Sequence, residues 1–123
     1  MSEILTFPFG TVSIHDFYMV AKMNEGVTVD PELNSILEDI SKTHFKDKNF
    51  VYITHRVNSY SVDPNIYFKT SQIPNLIGFA VVLGNEIRLD NIEIEKMFLS
   101  KPFHSFKSLD KAIEWAKELN PNS

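Results

Sequence analysis

The chain has no cysteine, so disulfides and thiolate metal sites are excluded. Glycine is scarce, with four in 123 residues, and no Gly-rich loop of the phosphate-cradling kind can be assembled from them. Lys42, Lys46 and Lys48 lie near one another, but Asp47 interrupts them and the formal net charge is -4. A nucleic-acid partner is therefore not expected. No apolar stretch approaches the roughly 18 residues of a membrane span, so no integral membrane segment is expected. Met1-Ser2-Glu3 lacks the basic region and long apolar run of a signal peptide. A soluble cytoplasmic protein is the expectation. The four histidines, His15, His44, His55 and His104, are scattered without an i, i+4 pair or an HExxH string. There is no G-x-S-x-G elbow, and Glu93 and Glu95, two apart on a predicted helix, point to different faces. No metal, no cofactor and no enzymatic activity are expected.

What is present is a core. With 43% hydrophobic residues, the chain reads as a single domain, 1–123, because two domains of half this size would bury too little surface. Ile4 to Ile14 reads as a strand that sits at an edge or bends, because Pro8 and Gly10 lie within it. His15-Asp16 reads as a tight turn into a second, antiparallel strand, Phe17 to Met23. Asp30-Pro31-Glu32 is a helix start: Asp30 accepts from orphan N–H groups and Pro31 has no N–H to leave unpaired. Leu33, Ile36, Leu37 and Ile40 keep helical spacing after it. Phe50 to Thr54 reads as a short buried strand, and Leu76 to Leu83 as a central strand covered on both faces. A short helix is predicted from Asp63-Pro64 to about Thr70, and a third over Leu89 to Phe98. A last strand, Phe103 to Phe106, precedes a helix capped by Ser108. The order β-β-α-β-α-β-α-β-α implies an α/β fold. Its sheet should be mostly parallel, with one antiparallel N-terminal strand.

The densest group of hydroxyl and amide side chains follows the strand at Phe50. Arg56, Asn58, Ser59, Tyr60, Ser61 and Asp63 fall within nine residues, between an apolar strand and a predicted helix start. Loops leaving the carboxyl ends of strands are where α/β folds place binding chemistry, and a helix start favours an anion. Ser59 and Ser61 can equally serve as local hydroxyls bonding the backbone. Tyr60 can anchor the loop, and Arg56 can pair with a surface acid.

The element order resembles the STAS domain, the fold of the bacterial anti-sigma factor antagonist SpoIIAA. The strings NSYSVDPNIY, IEIEKMF and KPFHSFKSLDKAIEW are similar to those of small SpoIIAA-like bacterial proteins. The resemblance implies a non-enzymatic regulatory or protein-interaction module. In phosphorylatable members a serine follows the third strand in a pattern like Asp-Ser-Ser/Thr-Gly. The matching stretch is Asn58-Ser59-Tyr60-Ser61, which places Ser59 at the phosphoacceptor position and makes Ser59 and Ser61 the candidate phosphorylation sites. Asn58 stands where the family has an acid, Ser61 where it has glycine, and Tyr60 is bulkier than the serine or threonine it replaces.

A protein partner is implied, and a homodimer through the proline-containing edge or an apolar helix face is a second arrangement. The alternative function is binding of a lipid-like or anionic small molecule, in the same crevice or in an apolar pocket lined by Phe68, Phe79, Met97, Phe98, Phe103 and Phe106. The plain reading of those six is a packed core.

Overall fold

A computed structural model describes residues 3–46, 48–56, 61–62, 66–83 and 101–119. Six strands form the main sheet: β1 (Glu3–Phe7), β2 (Gly10–Ile14), β3 (Tyr18–Met23), β5 (Phe50–Arg56), β7 (Leu76–Leu83) and β8 (Phe103–Phe106), in the order β1-β2-β3-β5-β7-β8. A second, two-stranded sheet pairs β4 (Thr28–Val29) with β6 (Ser61–Val62). The described helices are α1 (Pro31–His44), α2 (Ile66–Thr70) and α3 (Leu109–Leu119).

The α/β class and the mixed sheet agree with the sequence reading, but the start of the chain differs. Ile4 to Ile14 is not one bent strand. It is a hairpin, β1 against β2, closed at Pro8-Phe9 by the Phe7↔Gly10 pair. Proline cannot donate to a ladder, so the chain turns there instead of continuing. Asn24 holds this turn from outside: its Nδ2 donates to Pro8 O at 3.0 Å and its backbone N to Phe9 O at 2.8 Å. β1 to β2 and β2 to β3 are antiparallel, and every later pairing in the sheet is parallel. The reversed strand is therefore β2, and β1 forms one edge.

The helix signals place the first and last helices where the sequence puts them. Asp30 caps α1, its Oδ1 accepting from Leu33 N at 2.9 Å, with Pro31 in the first turn. Leu37 and Ile40 point into the core. Ser108 caps α3, its Oγ accepting from Lys111 N at 3.3 Å. The predicted helix over Leu89 to Phe98 lies outside the described residues.

From β3 the chain steps across the sheet in one direction, through β5 and β7 to β8. Right-handed crossovers that all step the same way lay their helices on one face. Accordingly α1 and α2 contribute Leu37, Ile40 and Ile66 to the same core as Met19, Phe50 and Phe79. α3 packs on the other face, where Ala112 and Ala116 lie against Val51, Ile53, Ala80 and Val82. Gly78 lets this helix approach closely. A Cβ there would fall 2.5 Å from Leu119 Cδ1 and 3.1 Å from the Trp115 ring. With cores on both faces, β7 is the covered interior strand its apolar run predicts. α3 contacts β5, β7 and β8, so on its face the helix lies over that half of the sheet. Among the described residues no helix is long and apolar enough to cross a membrane.

Candidate functional site

β5 is an interior strand, paired in parallel with β3 on one side and β7 on the other. Its apolar residues explain this position: Phe50, Val51 and Ile53 are fully buried, alternating between the two faces. Phe50 stacks on Phe45 of the preceding turn, with centroids 4.6 Å apart. The hydroxyl-rich segment thus leaves the carboxyl end of a covered parallel strand, and Arg56 is the last residue of that strand.

The other end of the segment departs from expectation. Ser61 and Val62 are not loop; they form β6, parallel to β4, with Thr28↔Ser61 and Val29↔Val62 paired. The pairing is too short for any sequence pattern to announce, and its two halves are far apart in the chain. The next described helical residues are Ile66–Thr70, and the expected helix start at Asp63-Pro64 lies outside the described residues. Val62 pairs with Val29, one residue before the Asp30 cap of the 14-residue α1. Asn58, Ser59, Tyr60 and Asp63 lie outside the described residues.

The proposed apolar pocket cannot gather all six of its residues. Phe79 and Phe103 stack with centroids 5.4 Å apart on the α1 side of the sheet, and Tyr52 stacks on Phe79 from β5 at 5.0 Å. Phe106 belongs to the opposite face, against Trp115. The sheet itself separates them. Phe79 is buried at 5% exposure, as a core residue would be. Phe68, Met97 and Phe98 are in positions whose side chains are not described.

A crevice between α1 and α2 is lined by Asn34, Glu38, Ser41, Tyr52, Thr70 and Leu76, among others, and has room for about one water molecule. Two of its buried polar side chains are satisfied within α1: Asn34 Nδ2 donates to Glu38 Oε1 at 3.0 Å, and Ser41 Oγ donates to Glu38 O at 2.7 Å.

His55, next to the hydroxyl-rich segment, is half-buried, and burial depresses its pKa below the ordinary 6.5, with the charge of Lys22 adding to the effect. Sequence reasoning noted His55 for its neighbours in the chain. Its relation to Lys22 depends on the β3–β5 register, which no local signal carries.

No family model, curated protein or solved structure matches this chain.

Proposed function

We propose that the chain is a non-enzymatic, cytoplasmic regulatory or protein-interaction module resembling the STAS domain. Its working segment is Arg56 to Asp63, with Arg56, Asn58, Ser59, Tyr60, Ser61 and Asp63 as contact residues and Ser59 or Ser61 as phosphoacceptor. One observation carries the reading: the segment departs from the carboxyl end of a covered, parallel interior strand, the position where α/β sheets present ligands and partners. The partial match of Asn58-Ser59-Tyr60-Ser61 to the family pattern adds to it.

The chemistry of a switch at this place is simple. A phosphoserine adds close to two negative charges and three acceptor oxygens. Placed in a contact surface, it repels an acidic partner and imposes a desolvation cost on an apolar one. Arg56 offers a counter-charge within the chain if its guanidinium reaches the phosphate. Mass spectrometry of the protein from its native cells tests the reading. The expected result is phosphate on Ser59 or Ser61, with a partner that is lost on Ser59→Asp and kept on Ser59→Ala. Unmodified serines, together with alanine variants that keep every partner, would remove the switch.

A further inference from the structure

The ladder registers line up one lateral row of side chains near the carboxyl ends of the parallel strands. Thr6 pairs with Thr11, and Thr11 with Lys22. Carried one residue past the Ala21↔Thr54 pair, the same register sets Lys22 opposite His55, which pairs with Val82. All of these lie on the α3 side of the sheet, since Val82 and the alternating Val20 and Ile53 belong to the core under α3. The helix lies over the Val82 end of the row, on β5, β7 and β8. Thr6 and Lys22 are exposed, and Thr11 and His55 are half-buried.

Two basic groups therefore sit on adjacent strands, about 4.8 Å apart in strand spacing, with a hydroxyl one strand further on. On the same face of β1, β2 and β3 the remaining described side chains are Ile4, Thr6, Ser13, Tyr18 and Val20, none of them acidic. From α3, the residues turned to the sheet are apolar: Leu109, Ala112, Ile113, Ala116 and Leu119, with Trp115. Asp110, Lys111, Glu114, Lys117 and Glu118 are on its exposed side. Among the described residues, Lys22 is the charge acting on His55. Burial and the Lys22 charge both oppose protonation of His55, and an anion between the two groups favours it.

We propose that Thr11, Lys22 and His55 form a binding site for the phosphate of a small phosphomonoester on this open sheet face. The Lys22 ammonium donates to the phosphate oxygens as a point charge. The His55 ring N–H and the Thr11 hydroxyl donate from the two flanking strands. A phosphomonoester suits the site better than a carboxylate, because its larger negative charge, about -1.5 to -2 at neutral pH, favours the protonated imidazole beside Lys22 more strongly. The site lies at the strand ends where α/β sheets bind ligands. It uses none of Asn58, Ser59, Tyr60 or Ser61, so it stands or falls independently of the switch.

The test is an NMR titration of the four histidine rings of the full chain, in inorganic phosphate and in chloride at equal ionic strength. Phosphate is expected to raise the His55 pKa by about half a unit, about threefold tighter binding to the protonated ring, while His44 and His104 stay in place. Backbone amide shifts at Thr11 and Lys22 should move with it. Lys22→Gln, at an exposed position, should abolish both responses. Glu25→Gln, in the turn after β3, should keep or increase them, and so should Ser59→Ala. Acetate at the same ionic strength should give a smaller shift. A His55 response no larger than that of the other histidines overturns the site, and so does one that survives Lys22→Gln. An equal response to acetate overturns the phosphomonoester assignment.

Discussion

The imidazole of His15 lies flat against the ring of Tyr18, with centroids 4.4 Å apart and planes 11° from parallel. The His15 Nε2 is also 3.2 Å from Ser13 Oγ. This turn joins β2 to β3 and is closed by His15 N donating to Tyr18 O at 2.9 Å. Burial lowers the His15 pKa from 6.5, and the Asp16 carboxylate opposes the shift without cancelling it. His55 is lowered as well, by burial and then by Lys22.

Both shifts have the same consequence for stability. A histidine whose folded pKa lies below its unfolded value binds more protons when unfolded, so stability rises with pH across the interval between the two. The contribution is complete above about 6.5 and is lost as the pH falls from there through the folded values. Urea unfolding at pH 7.5 and pH 5.5 should show the wild type less stable at the lower pH. The difference should shrink in His15→Gln and shrink further in the double variant with His55→Gln. Equal pH dependence in all three would remove both histidines as its source.

Gly10 and Gly26 both have positive φ, at 152° and 81°, but they differ in surroundings. A Cβ on Gly10 would meet the Lys22 carbonyl and lie 2.9 Å from Met23 Cα, both backbone atoms that cannot swing aside. A Cβ on Gly26 would meet nothing within 4 Å. Gly10→Ala should therefore cost about 3 kcal/mol or more, combining backbone strain with a clash. Gly26→Ala should cost about 1 kcal/mol, and Gly26→Asn less, since asparagine tolerates the left-handed region. Chemical denaturation midpoints compare the three.

Asn75 joins segments that are remote in sequence. Its Nδ2 donates to Phe45 O and to Lys48 O, and its own carbonyl accepts from Phe50 N at 2.9 Å. Asn75→Ala leaves the Phe45 carbonyl, beside a fully buried ring, without that donor. A loss of about 2 kcal/mol is expected. Asn75→Asp should lose as much or more, because a carboxylate cannot donate to either carbonyl. Thermal unfolding of the two variants checks both the size and the order.

The parts of this fold that were legible are those written in consecutive residues. Asp30-Pro31 and Ser108 announce helix starts because capping is local chemistry. Phe50 to Thr54 and Leu76 to Leu83 announce buried strands because both of their faces are apolar. Pro8-Phe9 did not announce a hairpin turn, since it lacks the Asn-Gly or Gly-X signature of such turns. The β4–β6 pair was hidden for a different reason. Two residues on each side carry no periodicity, and their contact is made by the path of the chain around α1. The same distinction separates the candidate sites. The hydroxyl-rich segment is a run of consecutive residues, so the sequence displays it. The Thr11, Lys22, His55 row exists only once β2, β3 and β5 lie side by side in register.

The exit of Arg56 to Asp63 from the end of β5 gives the proposed interaction surface its position, and partner binding is what it must explain. Quantitative affinity capture from native cells, comparing the wild type with Ser59→Ala, Ser59→Asp and Tyr60→Ala, measures that directly. At least one specific partner should be retained by Ser59→Ala, and Ser59→Asp should lose it by tenfold or more, about 1.4 kcal/mol. Tyr60→Ala should weaken it. An identical set of partners at identical yield for all four proteins would contradict an interaction surface built on this segment.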